Sequence, residues 1–221
     1  MKNNINSEKA SESNIIGYIA DKEKIAFIGD FNKDYWKQQF KNEFYKFVFL
    51  EKQDITKKLL TDYYYIFVSD LKKHSLLFTY DSYDGQVCIN VNIQKGSLDN
   101  CANALATVGC GFIGMDLADL ESALGHGVHP ATYYNNLTIS EAKELKIKYC
   151  NKTGMYFIIH APQNANLEKI DSISSEIANL CDPNANILWD VRFDRGITDY
   201  ALDIFISGVN LTNKCTKRRK S

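Results

Sequence analysis

The run Asp182-Pro183-Asn184-Ala185-Asn186-Ile187-Leu188-Trp189-Asp190-Val191 lies between a helical pattern and a final strand pattern. Upstream of it, Leu167, Ile170, Ile173, Ile177 and Leu180 mark one face of a helix, with Asn166 placed as its cap. Asp182-Pro183 stops that helix, because proline cannot continue the hydrogen-bond ladder. Met155 to His160 reads as a continuous apolar strand before the helix. After the helix, Ile187 to Phe193 and Tyr200 to Val209 read as two strands joined by the turn Asp194-Arg195-Gly196. Further back, Thr132-Tyr133-Tyr134 predicts a strand, followed by a helix running to about Tyr149. Thr138 and Glu141 have the spacing of a capping box, in which each side chain satisfies a free amide of the first turn. From Thr132 onward the order is therefore strand, helix, strand, helix, strand, strand.

The first half predicts strands separated by short helical pieces, the pattern of an α/β sheet. Lys24 to Asp30 reads as a short buried strand ending in a Gly-Asp turn. Asn32 to Phe44 is helix-like, with Trp36, Phe40 and Phe44 four residues apart. Tyr45 to Leu50, Tyr63 to Val68, Leu76 to Tyr80 and Gln86 to Ile93 read as strands, with a short helix over Asp54 to Leu60. Leu98 to Val108 is rich in small residues and helical, runs into Gly109-Cys110-Gly111, and is followed by a second helix over Asp116 to Leu124.

The 221 residues suffice for one large domain or two small ones. With 45% apolar and 24% charged residues and a net charge of −1, there is no global bias toward nucleic acid or acidic lipid. Only the tail, Lys214 to Lys220, is basic, and it reads as a solvated terminus. No apolar run approaches the roughly 20 residues that span a bilayer, and Met1 to Asn14 has no apolar segment of a signal peptide. The six cysteines (Cys88, Cys101, Cys110, Cys150, Cys181, Cys215) show no paired spacing and read as buried free thiols of a cytoplasmic protein.

The order and spacing from Gly154 to Val209 resemble the C-terminal domain of the FtsZ/tubulin superfamily of polymerising GTPases. The segments that carry the likeness are Phe157 to Ala161, Leu167-Glu168, Asp182 to Ile187, Asp194 to Asp199 and Leu202 to Gly208. A second anchor is Gly111-Phe112-Ile113-Gly114-Met115-Asp116-Leu117-Ala118-Asp119-Leu120, which is similar to the loop preceding that domain, an Asn-x-Asp-x-x-Asp pattern opening a helix. In the family this loop enters the nucleotide pocket of the next filament subunit and positions the attacking water. Asp116 and Asp119 match its acidic positions, while Gly114 stands where the family has Asn. Two carboxylates at this spacing share one helix face, where they can orient a water or cation near a phosphate, or meet the positive end of the helix dipole.

The family cradles phosphates on a glycine-rich loop, because backbone amides must approach the phosphates closely. Here the strand Tyr63 to Val68 is followed by Ser69-Asp70-Leu71-Lys72-Lys73-His74-Ser75, without glycine, and the first strand by Gly29-Asp30-Phe31-Asn32-Lys33. Only 115 residues precede Asp116, fewer than the family places there. The remaining candidate chemistry is thin. His126 and His129, with Cys110 nearby, lack further ordered ligands for a metal. Cys110 has no identifiable His-Asp arrangement and reads as a buried thiol, His160 as a satisfied strand-end residue, and Tyr63-Tyr64-Tyr65 as strand packing.

The expected fold is α/β: a shortened, Rossmann-like N-terminal sheet of FtsZ/tubulin type, then an α+β domain of FtsZ C-terminal type with a mixed four-stranded sheet. The expected divisions are 1–20 as a disordered lead-in, 21–115 as a degenerate nucleotide-domain-like region and 116–130 as loop and connecting helix. They continue with 131–210 as the C-terminal-like domain and 211–221 as a flexible basic tail. With the glycine-rich cradle missing, the resemblance implies a non-enzymatic FtsZ-like division or cytoskeletal protein, a filament-associated, capping or modulating subunit, cytoplasmic and without cofactor or metal. It would contact FtsZ or itself through Asp116, Asp119 and the C-terminal domain, with no nucleic-acid partner and no membrane span. The alternatives are a divergent self-polymerising GTPase using GTP and Mg, in which Asp116 and Asp119 are catalytic, and a scaffold for an unrelated assembly.

Overall fold

The computed structural model describes residues 24–39, 46–50, 65–82, 85–108, 111–125, 130–145 and 154–207. Nine strands form one mixed sheet: β1 (Lys24–Ile28), β2 (Lys46–Leu50), β3 (Tyr65–Asp70), β4 (Ser75–Ser82), β5 (Gly85–Lys95), β6 (Ala131–Leu137), β7 (Gly154–Pro162), β8 (Asn186–Asp194) and β9 (Ala201–Ser207), in the order β2-β1-β3-β4-β5-β6-β9-β7-β8. The two expected sheets are thus one. The C-terminal four strands do lie together, as β6-β9-β7-β8, but parallel pairing of β5 with β6 joins them to the rest. A parallel pair needs a crossover, and the chain between β5 and β6 supplies it with α2 (Leu98–Ala106), α3 (Leu117–Leu120) and a π-helical turn (Glu121–Gly125).

Register builds the N-terminal core. Phe49, Phe27, Phe67 and Phe78 are cross-strand partners on β2, β1, β3 and β4, and their rings stack at centroid spacings of 5.3, 5.4 and 4.7 Å. Offset stacking of this kind adds about 0.5–1.5 kcal/mol per pair beyond area burial. Helix α1 (Lys33–Gln39) closes over this ladder through fully buried Trp36, whose ring lies 4.2 Å from Phe27. Asn32 Oδ1 caps α1, accepting from the amides of Asp34 and Tyr35. Phe40, Phe44 and the predicted helix over Asp54 to Leu60 lie outside the described residues.

Small residues let α2 pack closely on the sheet: Cys101, Ala102, Ala104 and Ala106 are all buried. On the opposite face of the C-terminal strands, α4 (Ile139–Glu144) and α5 (Leu167–Ala178) cover Met155, Phe157, Ile159, Leu202, Ile204 and Ile206. The capping box predicted at α4 forms, with Glu141 N–H donating to Thr138 Oγ1 (3.2 Å) and Thr138 N–H to Glu141 Oε2 (2.7 Å). That helix ends at Glu144, short of the expected Tyr149, because Leu145 already has extended backbone. Helix α5 also stops early, at Ala178, well before Pro183. Tight turns then follow, in which Leu180 N–H bonds Ile177 O and Cys181 N–H bonds Ala178 O. Cys101 and Cys181 are buried as expected, whereas Cys88 is exposed, since it points opposite to buried Ile89 on β5.

Candidate functional site

The stretch from Gly111 to Ile113 lies along the outer edge of β8. Phe112 N–H donates to Val191 O at 3.0 Å and Ile113 N–H to Asp190 Oδ1 at 3.2 Å. Gly111 sits so close to the Asp190 carboxylate that a Cβ there would overlap it. The loop then opens α3, where Asp116 and Asp119 are brought together. Asp119 N–H donates to Asp116 Oδ1 (2.9 Å) and Asp116 N–H to Asp119 Oδ2 (3.1 Å), a reciprocal capping box that leaves both side chains exposed. The sequence spacing therefore has a local cause as well: each carboxylate satisfies an amide that the helix start leaves open.

Three distant side chains anchor this piece. Tyr80 Oη on β4 donates to Leu117 O (3.0 Å), Asn186 Nδ2 on β8 to Ser122 O (3.0 Å), and Ser207 Oγ on β9 to Ala123 O (2.9 Å). Leu120, Ala123 and Leu124 are buried beneath it. Gly154 is required at this contact, because a Cβ would overlap the Ala123 carbonyl.

Phe112 and Ile113 of the loop, Leu167, Ile170 and Asp171 of α5, and Trp189 and Val191 of β8 line a cleft of about 140 Å³. Phe112 is 67% exposed, Leu167 60% and Ile113 44%. Apolar side chains scattered singly need no explanation, but three around one cleft mark a surface suited to a partner. The sequence placed Leu167 on the buried face of α5. It instead faces outward at the first position of the helix, beyond the part of the sheet that Ile170 and Ile173 reach.

The stretch from Ser69 to Ser75 is a tight turn. β3 doubles back into antiparallel β4, with His74 N–H on Leu71 O (3.2 Å), His74 at φ +49°, and Lys73 paired to Asp70 at 3.7 Å. No helix starts there to point amides at an anion. After β1, the amides of Asp34 and Tyr35 are taken by Asn32 Oδ1, and the Asn32 amide by Asp99 Oδ1. Among the described residues no group of three or more His, Cys, Asp or Glu could hold a metal; His126, His129 and Cys110 lie outside them. No described helix is long and apolar enough to cross a membrane.

Sequence reasoning missed two buried acids. Asp203 is 4% exposed and accepts from Tyr133 Oη (3.0 Å), Asn135 Nδ2 (2.8 Å) and Asn136 N–H (2.9 Å), with His160 Nε2 at 3.3 Å. Burial pushes its pKa up, but His160, the Asn136 amide and the Tyr133 hydroxyl outweigh it and hold the carboxyl below its ordinary value. Burial and then the Asp203 charge push Tyr133 upward. Asp190, fully buried, accepts from Ile113 and Val191 amides through Oδ1, while its Oδ2 has no hydrogen-bond partner among the described residues. A strand pattern reveals which residues share a face, not what covers that face, so neither acid stands out in the sequence.

No protein-family profile and no curated protein sequence matches the chain. Among solved structures it is similar to the empty FtsZ dimer of M. jannaschii (24% identity, TM-score 0.42, covering 51% of this chain and 37% of that one). It is likewise similar to a single-substitution mutant of FtsZ from the same organism (22% identity, TM-score 0.41, 51% and 38% covered). The likeness spans about half of this chain and well under half of those FtsZ chains.

Proposed function

We propose that this protein is a non-enzymatic, FtsZ-like assembly subunit that docks on an FtsZ filament, or on its own kind, through the loop that carries Phe112, Ile113, Asp116 and Asp119 and through the C-terminal domain. The observation that carries this reading is that one loop holds both an anchored acidic helix start and the exposed apolar side chains Phe112 and Ile113, which with Leu167 line a cleft. A solvated cap would need no such apolar neighbours. The tight β3–β4 turn supports the non-enzymatic part, since the chain there has neither glycines nor a helix start to receive phosphates. A subunit that offers the acidic face but no competent nucleotide face would cap or modulate a filament.

The test is co-sedimentation with the host's FtsZ under GTP. Binding to polymer or a change in polymer mass is expected; neither appearing would sink the proposal. Calorimetry with GTP and GDP tests the enzymatic alternative separately, and a saturable signal there would overturn the non-enzymatic reading.

A further inference from the structure

We infer that Asp190 is the positioning residue of the docking loop: it fixes Phe112, Ile113 and the start of α3 against β8. The inference rests on the docking reading for its consequence, though not for its geometry. Asp190 lies mid-strand on β8, opposite Ile158 of β7, where an apolar side chain would pack at no electrostatic cost. A buried carboxylate is expensive unless its hydrogen-bonding capacity is met, yet among the described residues only Oδ1 has partners, the amides of Ile113 and Val191. The nearby charged or titratable groups on its face, among the described residues, are Arg192, two residues along β8, His160 on β7, and Asp203 on β9, which is cross-strand from Ile158 and pairs with His160. Arg192 spends one guanidinium nitrogen on the carbonyls of Ala104 and Thr107 at the end of α2, and its Nε is unpartnered. Asp203 is already satisfied by its own network.

The contact Asp190 makes outside its own strand is with the loop. Its acceptor meets Ile113 N–H, and its carboxylate fills the place where any side chain on Gly111 would stand. Phe112 N–H on Val191 O and the edge-on contact of Phe112 with Phe193 (5.7 Å) extend the same attachment along β8. Asp190 thus sets where Phe112 and Ile113 stand relative to the cleft, and through them where Asp116 begins the helix.

Amide hydrogen exchange of the full chain tests this. In Asp190→Ala the Ile113 amide should exchange about tenfold faster or more, the loss expected for a charge-assisted acceptor. Amides of α5 and β7 should keep their wild-type rates. Asp190→Asn, which retains an acceptor oxygen, should restore most of the protection. Docking on FtsZ polymer, or self-association, should weaken about tenfold in Asp190→Ala and recover in Asp190→Asn. An unchanged Ile113 rate, or a uniform rise through β7, β8 and α5, would overturn the positioning role. If Asp190→Ala does not fold, Gly111→Ala reaches the same contact from the other side, and unchanged Ile113 exchange there overturns it equally. Wild-type chain that docks on nothing sinks the proposed function alone, because the exchange result stands without it. Docking that survives Asp190→Ala with a loosened loop sinks the inference instead.

Discussion

Asp116 and Asp119 hold each other's backbone amides, at 2.9 and 3.1 Å, while both side chains stay exposed. Cap and charge can therefore be separated by substitution. Asp116→Ser keeps an oxygen that can accept from the Asp119 amide, so stability should stay within about 0.5 kcal/mol of wild type, whereas Asp116→Ala should cost about 1 kcal/mol. Docking measured by co-sedimentation should fall in both variants, because both lose the charge. Retention in Asp116→Ser would mean that the loop's shape, and not its charge, is what a partner meets.

Gly29 ends β1 at φ +104°, and a Cβ there would overlap Ser69 Oγ, which itself accepts from the Asp30 amide at 2.9 Å. Gly29→Ala should cost about 1–3 kcal/mol, read as a lowered urea midpoint at unchanged slope. Adding Ser69→Ala should recover only part of the loss, since it removes the overlap but leaves the left-handed backbone. Full recovery would show that the turn carries no backbone strain.

The C-terminal elements were legible because each is specified locally. The apolar run from Met155 to His160, the Asn166 cap and the Thr138–Glu141 box all appear where spacing placed them. The single sheet was not legible, because the parallel pairing of β5 with β6 depends on contacts across the crossover and leaves no local signature. Asp190 and Asp203 were hidden for a related reason. Alternation on β8 and β9 separates two faces, and both faces here are covered, one by α2 and the loop and the other by α4 and α5. The acidic pair was singled out through the resemblance of its loop, but the Phe112, Ile113 and Leu167 rim was not, since it forms only when loop and helix meet.

The Asp203 network predicts a pH dependence whose sign follows from its lowered pKa. A carboxyl with a folded pKa below its unfolded value contributes stability that is complete above the unfolded pKa, about 3.9, and is lost as pH falls through the folded value. Denaturation curves from pH 7 downward should therefore show stability falling below about pH 4. Asp203→Asn should flatten that fall. Asp203→Ala should also cost about 3 kcal/mol at pH 7, because Tyr133, Asn135 and the Asn136 amide all lose their acceptor. An acid slope unchanged in Asp203→Asn would assign it to other carboxylates.

Phe112 and Leu167 give the cleanest separation of fold from docking. Both are more than half exposed, so replacing either with Ser removes little buried surface. Stability should change by about 1 kcal/mol or less, the larger effect at Phe112, which gives up its edge-on contact with Phe193. If the cleft receives an apolar side chain from the partner, each substitution should weaken docking by about tenfold, the scale of an interface anchor. The double variant should equal the sum of the two free energies only if the residues contact separate parts of the partner, since shared contacts couple. Leu71, which is 55% exposed on the β3–β4 turn, is the matched control, and Leu71→Ser should leave docking at the wild-type level. Equal losses at Leu71 and Leu167 would mean that any exposed apolar group matters, and the cleft would lose its claim as the contact.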